Sequence, residues 1–365
     1  MKIKTNKDKL LYFINIANRA AISKSTMNIL ECLLLTADEN GLKLTSNNLD
    51  MGIETDYCEA EVIEEGRIAL DGKFFSEVVR SAASPEITIE TDEKFITTIK
   101  SGKSEIKMAG RDPEVFPLLP EISDDFCYSI DAAVFKDMIK KTIFAAATEN
   151  IKQTLTGENV EISDDSITLA AIDGYRIAVG DSSLIKGNND TFSVIVPKSS
   201  LSKIGKLIAD EEQIDMFFTE NHMLVKFKDC FLLTSLIEGE FLKYKHFFTD
   251  DCKTKVVIKK DEILSCLDRV LLISKDIKKS PVKVKIGEGG IELTSISDVL
   301  GSMYEFIDCD VSGDELTIGF NPRYMQEIFK NIDSDEITLV FNSPLSPCII
   351  TGEEGFKYLL LPLRL

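Results

Sequence analysis

The chain has 365 residues, of which 44% are hydrophobic and 28% charged, and its formal net charge is −19. That length exceeds one ordinary domain, and the composition is globular, neither disordered nor fibrous. The opening residues lack the apolar core of a secretory signal and no apolar run approaches a membrane span, so a cytoplasmic location without membrane contact is expected; the excess of acid, taken as a sum, argues against a polyanionic partner. Eight cysteines are scattered with no C-x-x-C pair, which points to reduced, packed thiols, with no metal and no cofactor expected.

Taken in order, the predicted elements repeat. A helix over 6–20 opens the chain, followed by an alternating strand over Leu42–Glu54, a helix over 72–83 and a strand carrying Ile87 and Ile89. Ile96–Lys100 and Glu105–Ala109 flank Ser101-Gly102-Lys103-Ser104 as a hairpin. Three prolines between Pro113 and Pro120, then Asp124-Asp125, close this third. The second third opens with a helix over 131–147, for which Asp131 is the expected N-cap and Val134, Phe135, Met138, Ile139 and Ile143 form one apolar face. Strands at 166–171 and Ile172–Val179, a helix over 197–209 and a strand with Ile214 and Met216 follow; Phe247–Lys255 then breaks the pattern. The last third repeats the order, with helices over 261–273 and 321–332 and strands at Ile291 and at Ile337 and Leu339.

The repeat holds register. Strand starts Leu42, Ile167 and Ile291, helix-opening cations Lys73, Lys198 and Arg323, and helix residues Val79, Ile204 and Phe329 recur at intervals of 124 or 125 residues. Three homologous domains follow, spanning 1–122, 123–251 and 252–365. Mixed strands with two helices per unit predict an α+β fold, helices packed on antiparallel sheets.

Charge is unevenly placed along this repeat. The six helical windows carry a balance of +6, so the remainder carries −25. Lysines on an amphipathic helix are ordinarily a solvated face. Basic helices set against acidic sheets also suit a surface that meets a polyanion through phosphates, without reading bases.

Enzyme signatures are missing. Gly102-Lys103-Ser104 lacks the glycine a P-loop requires at Thr97 and lies between strands. Neither His222 nor His246 sits in a hydrolase or zinc motif. Among 61 carboxylates no pair stands out for acid–base work, so no catalytic residue is assigned. The apolar ending Leu359-Leu360-Leu361-Pro362-Leu363-Arg364-Leu365 is unusual. Its first part suits a buried strand, while Pro362 sends the remainder to an edge or a groove able to bind a peptide.

With the threefold repeat, Asp173-Gly174-Tyr175-Arg176 in the middle third, Gly239-Glu240-Phe241 before the second boundary and the Leu361–Leu365 ending, the chain resembles the bacterial DNA polymerase sliding clamps, the replicase β subunits. The resemblance covers the whole length and implies a non-enzymatic processivity factor, a head-to-tail homodimer closed into a six-domain ring around duplex DNA and held there topologically. It implies as partners the replicative polymerase, the clamp loader, and other polymerases, mismatch repair and ligase-type proteins that insert short Leu/Phe-containing peptides between domains two and three. Carried over by position, the peptide site comprises Leu155, Ile172, Gly174, Tyr175, Arg176, Ile177, Leu242, His246, Phe247, Leu361, Pro362, Leu363 and Arg364. Arg176 is expected to bond peptide carbonyls or a carboxylate. Leu242 stands where the family often has proline, and His246 where it often has arginine. The DNA-facing cations would be Lys24, Lys73, Arg80, Lys136, Lys140, Lys198, Lys203, Lys206 and Arg323, and the ring would close through Ile106 and Met108 on one side and Leu272 and Ile273 on the other. On the residues alone, a protein-interaction scaffold that does not encircle DNA, or an enzyme with an unrecognised acidic site, stays open.

Overall fold

The computed structural model describes residues 1–22, 25–121, 126–148, 152–188, 190–208, 212–249, 251–273 and 281–365. Among them are six α-helices: α1 (Lys7–Ala17), α2 (Gly72–Ser81), α3 (Ala132–Thr142), α4 (Lys198–Leu207), α5 (Lys260–Ile273) and α6 (Pro322–Lys330). Each falls within or beside its predicted window, and local chemistry sets the starts. The side chain of Asn6 accepts from the N–H groups of Asp8 and Lys9 at the head of α1, Asp71 accepts from Phe74 N–H at α2, and Asn321 accepts from Arg323 N–H just before Pro322 opens α6. Asp131 ends the strand Tyr128–Asp131, directly ahead of α3.

The chain divides into two compact units. The first comprises Met1–Ala133, Ile185–Asn188 and Lys203–Leu236. One of its sheets has five strands in the order Ala60–Glu64, Lys2–Asn6, Glu86–Thr91, Ile96–Ser101, Ser104–Ala109. The other has eight, running Tyr128–Asp131, Gln213–Phe218, His222–Lys226, Cys230–Ser235, Met51–Thr55, Gly41–Asn47, Cys32–Asp38, Gly66–Asp71. Its middle joint is the antiparallel pairing of Cys230–Thr234 with Met51–Thr55, so strands from the first and second thirds of the sequence form one sheet. Leu10 and Ile14 of α1 and Phe75 and Val79 of α2 pack on Leu33, Leu35, Ile87 and Ile89.

The second unit comprises Val134–Leu184, Asn189–Ser202 and Ile237–Leu365. Its nine-stranded sheet runs Thr191–Pro197, Gly157–Ser163, Ser166–Ile172, Arg176–Ser183, Phe356–Leu360, Cys348–Thr351, Glu336–Phe341, Thr254–Lys259, Asp310–Gly313. A four-stranded sheet, in the order Gly301–Asp308, Gly290–Ser297, Val282–Gly287, Leu316–Phe320, completes it. Ile263 and Leu267 of α5 and Ile328 and Phe329 of α6 share a core with Ile337, Leu339 and Tyr358.

The repeat is geometrically real. Leu42, Ile167 and Ile291 are each the second residue of their strand. Val79, Ile204 and Phe329 are all fully buried, and the strand positions Ile87, Ile214 and Ile337, like Ile89, Met216 and Leu339, are buried too. Two predicted strands are corrected. Leu42–Glu54 is two strands, split where Asn47 and Asn48 side chains accept from Leu49, Asp50 and Met51 N–H groups and turn the chain. Ile172–Val179 breaks after Ile172, for a reason that belongs to the site.

Candidate peptide and nucleic-acid surfaces

The break at Asp173-Gly174-Tyr175 is a tight turn between two paired strands. Asp173 Oδ1 accepts from the N–H groups of Tyr175 (2.9 Å) and Arg176 (3.0 Å), which closes the turn. Gly174 has φ +90°, while a Cβ there would meet nothing within 4 Å. Backbone conformation and not space demands glycine.

Beyond the turn, Arg176 points inward. Its Nε donates to Asp173 Oδ2 (2.9 Å), Nη1 to Glu327 Oε2 (2.5 Å) and Nη2 to Phe144 O (3.1 Å), and its guanidinium lies 4.4 Å from the Tyr324 ring centroid and 5.1 Å from that of Phe144. The residue is 6% exposed. The expected direct bond from Arg176 to a peptide is therefore corrected: the side chain is committed to shaping the turn and its neighbours. Tyr175 is 52% exposed and stacks on Tyr324 at 5.9 Å.

The C-terminal residues join this place by main-chain bonds. Phe356–Leu360 pairs antiparallel with the strand leaving the turn, setting Leu360 opposite Arg176 and Leu359 opposite Ile177. Leu361 N–H then donates to Tyr175 O (2.9 Å) and Leu363 N–H to Gly319 O (2.8 Å), with Pro362 between them. A Cβ on Gly319 would lie 2.8 Å from the Leu363 carbonyl, so glycine permits that approach.

Ile172, Ile177, Val179, Leu359 and Tyr244 form an apolar platform, with Leu155, Phe241, Phe248 and Leu361 at its margin. Leu242 and Phe247 are exposed, and the His246 ring stacks on Phe247 at 4.1 Å. The expected set thus divides. Leu155, Ile172, Ile177 and Leu361 share the platform, whereas Leu242 and His246 line a neighbouring cavity of about 510 Å³ walled by Asn159, Glu161, Ser193 and Tyr244. Arg364 is exposed, and Pro362 and Leu363 are half-buried. Tyr244 and Tyr324 lie outside the expected set, and Phe241 enters the sequence reading only within Gly239-Glu240-Phe241. The aromatic spacing Phe241, Tyr244, Phe247 was a usable signal; nothing local ties Tyr324, on α6, to residue 175.

The cations differ in exposure. Lys73 and Arg80 of α2 are exposed and border a cavity of about 370 Å³ with Asn18, Glu31, Asp71 and Glu77. Lys136 and Lys140 of α3, Lys206 of α4 and Arg323 of α6 are exposed, and Lys140 lies 3.9 Å from Asp333. Lys203 is half-buried, and burial, then Lys206, pull its ammonium below the usual lysine range. Lys198 turns inward, its Nζ donating to Ala146 O at 2.8 Å. Lys24 lies outside the described residues.

Of the ring-closure residues, Ile106 is exposed on Ser104–Ala109, the outermost strand of its sheet, but Met108 on the same strand is buried in the core, which corrects its assignment as an interface contact. Leu272 is exposed at the end of α5 and Ile273 is half-buried. Gly301–Asp308 is likewise outermost in its sheet and exposes Tyr304 and Phe306.

Three family descriptions match the chain in succession: the N-terminal domain of the DNA polymerase III beta subunit over residues 1–120, its central domain over 129–243 and its C-terminal domain over 245–364. A beta sliding clamp of Halalkalibacterium halodurans is 32% identical over 98% of both chains. The chain belongs to the beta sliding clamps. Among solved members, a putative DNA polymerase III beta subunit from Eubacterium rectale superposes with a TM-score of 0.95 at 35% identity, covering 100% of both chains. The sliding clamp of Bacillus subtilis gives 0.96 at 28% identity, covering 100% of this chain and 99% of that one. The expected family and its three-domain α+β architecture are therefore established.

Proposed function

We propose a working arrangement for this DNA sliding clamp and processivity factor. Two copies associate head to tail into the family's six-domain ring, duplex DNA passes through it, and the replicative polymerase is tethered by a peptide. Within this arrangement the domains meet near residues 122 and 251. Two outermost strands suit the ring closure: Ser104–Ala109 with Ile106, and Gly301–Asp308 with Tyr304 and Phe306 beside Leu272 and Ile273. Open strand edges are the natural template for pairing with another chain.

Exposed cations on α2, α3, α4 and α6 meet phosphates non-specifically, while the acidic remainder of the chain repels DNA from elsewhere. Because a ring is retained by topology, weak phosphate contact suffices and leaves the ring free to slide. The clamp loader, other polymerases, and mismatch repair and ligase-type proteins dock through short Leu/Phe-containing motifs, and the work is done in the cytoplasm without catalysis.

The observation that carries the tethering site is the apolar platform of Ile172, Ile177 and Leu155, bordered by exposed Tyr175 and completed by the tail through the Leu361–Tyr175 bond. An apolar group bordered by an exposed aromatic ring suits a peptide with apolar anchors. The encircling itself is tested by loading the protein onto nicked circular DNA and then linearising it. Retention on the circle and loss after cutting is expected; equal loss from both refutes a ring.

A further inference from the structure

Lys198 opens α4 and repeats the helix-opening cations Lys73 and Arg323, both of which are exposed. It behaves differently. Its Nζ donates to the carbonyl of Ala146 at 2.8 Å and its main-chain N–H to Thr156 O at 3.2 Å. One residue after Ala146, the N–H of Ala147 donates to the carbonyl of Leu155 at 2.9 Å. Leu155 is a margin residue of the apolar platform. Two residues before Ala146, the carbonyl of Phe144 takes the Nη2 donor of Arg176. Two cations from separate elements thus hold the carbonyls at 144 and 146, and the adjoining amide holds Leu155.

We infer that Lys198 is a positioning residue of the peptide platform, acting through Ala146 and Ala147 on Leu155, and not one of the phosphate-contacting cations. This rests on the peptide-site reading above. A lysine serving DNA would keep its ammonium in water. Here the head group is half-buried, and burial, followed by the nearby Arg176, holds its pKa below the ordinary lysine value against the opposing pull of Glu158, Asp173 and Glu327. A charge held against that cost, with a carbonyl as its partner, is spent on local geometry.

The test measures, by fluorescence anisotropy, binding of a labelled Leu/Phe-containing peptide to the full-length wild type, Lys198→Met, Lys198→Arg, Leu155→Ala and the Lys198→Met/Leu155→Ala double variant. Retention on nicked circular DNA is measured in parallel, with Lys206→Glu, at an exposed cation of the same helix, as the DNA-side control. Lys198→Met should weaken the peptide about threefold to tenfold, the size of one ordinary hydrogen bond and less than a charge-assisted one because the loss reaches Leu155 through the backbone, and leave DNA retention unchanged. Lys198→Arg, which keeps a donor, should stay within about twofold of wild type. In the double variant Lys198→Met should add nothing to the loss from Leu155→Ala, because both act through one side chain.

The inference is overturned if Lys198→Met lowers DNA retention as Lys206→Glu does with peptide affinity intact, if Lys198→Arg is as weak as Lys198→Met, or if the two losses add in full. Failure of the wild type to bind, or an unchanged affinity in Leu155→Ala, overturns the peptide site itself and this assignment with it.

Discussion

Glu158, on the strand Gly157–Ser163, offers the sharpest test of the middle domain's energetics. Its side chain is fully buried, and among the described residues neither carboxyl oxygen has a hydrogen-bond partner. Burial pushes the carboxyl from 4.5 up to about 8, with Thr142 and Lys198 offsetting only part of the effect. Below pH 4.5 the folded and unfolded chains both hold the proton. Between 4.5 and 8 the unfolded chain releases it and the folded chain keeps it, so stability falls as pH rises and the loss is complete above 8. Each pH unit in that window costs about 1.4 kcal/mol, which accumulates to about 3 kcal/mol at pH 7. Glu158→Gln keeps the shape and cannot ionise. It should match the wild type near pH 4.5 and exceed it by a margin that widens towards pH 8. Urea unfolding followed by circular dichroism at pH 5, 6, 7 and 8 measures that margin. Parallel curves for the two proteins across the series would refute the reasoning.

Lys141 is 4% exposed at its side chain and bonds Asp137 (2.7 Å), Asp333 (2.9 Å) and Glu353 (2.8 Å). Lys141→Met should lower stability by about 2–3 kcal/mol, less than a wholly buried pair because the carboxylates reach water, and a midpoint unchanged in urea would contradict it. The Lys141 bond also holds Asp333 below the usual carboxylate range, so this contribution is present at neutral pH and fades as pH falls through the lowered Asp333 value; the Lys141→Met deficit should therefore shrink in acid. Deleting Leu361–Leu365 removes the Leu361–Tyr175 and Leu363–Gly319 bonds and should abolish peptide binding while dimer size on gel filtration persists. A monomer would show that the tail is structural instead.

The repeat was legible because burial imposes one hydrophobic pattern on every copy. Val79, Ile204 and Phe329 differ in size and shape, yet each fills the same inward helix position. Positions whose direction depends on a distant partner were not legible. Arg176 reads as an available donor until Glu327, Phe144 and Tyr324 are placed around it, and those lie far away in sequence. Lys198 shares a helix-opening position with Lys73, and only the Ala146 carbonyl separates their behaviour. Met108 and Ile106 are two residues apart on one strand and should share a face by alternation. They do not share exposure, because Met108 belongs to the core and Ile106, on the same outermost strand, is left out of it.

The two large sheets constrain how the chain is made. Met51–Thr55 finds its partner only when Cys230–Thr234 has been synthesised, and Arg176–Gly180 waits for Phe356–Leu360, 176 residues further along the chain. Both pairings are non-local, the kind that slows folding. A nascent or prematurely terminated chain therefore carries an unpaired apolar edge at Ile177, Ala178 and Val179, the sort of edge that recruits other chains. The strand that finishes the peptide platform is thus also the one that covers this apolar edge.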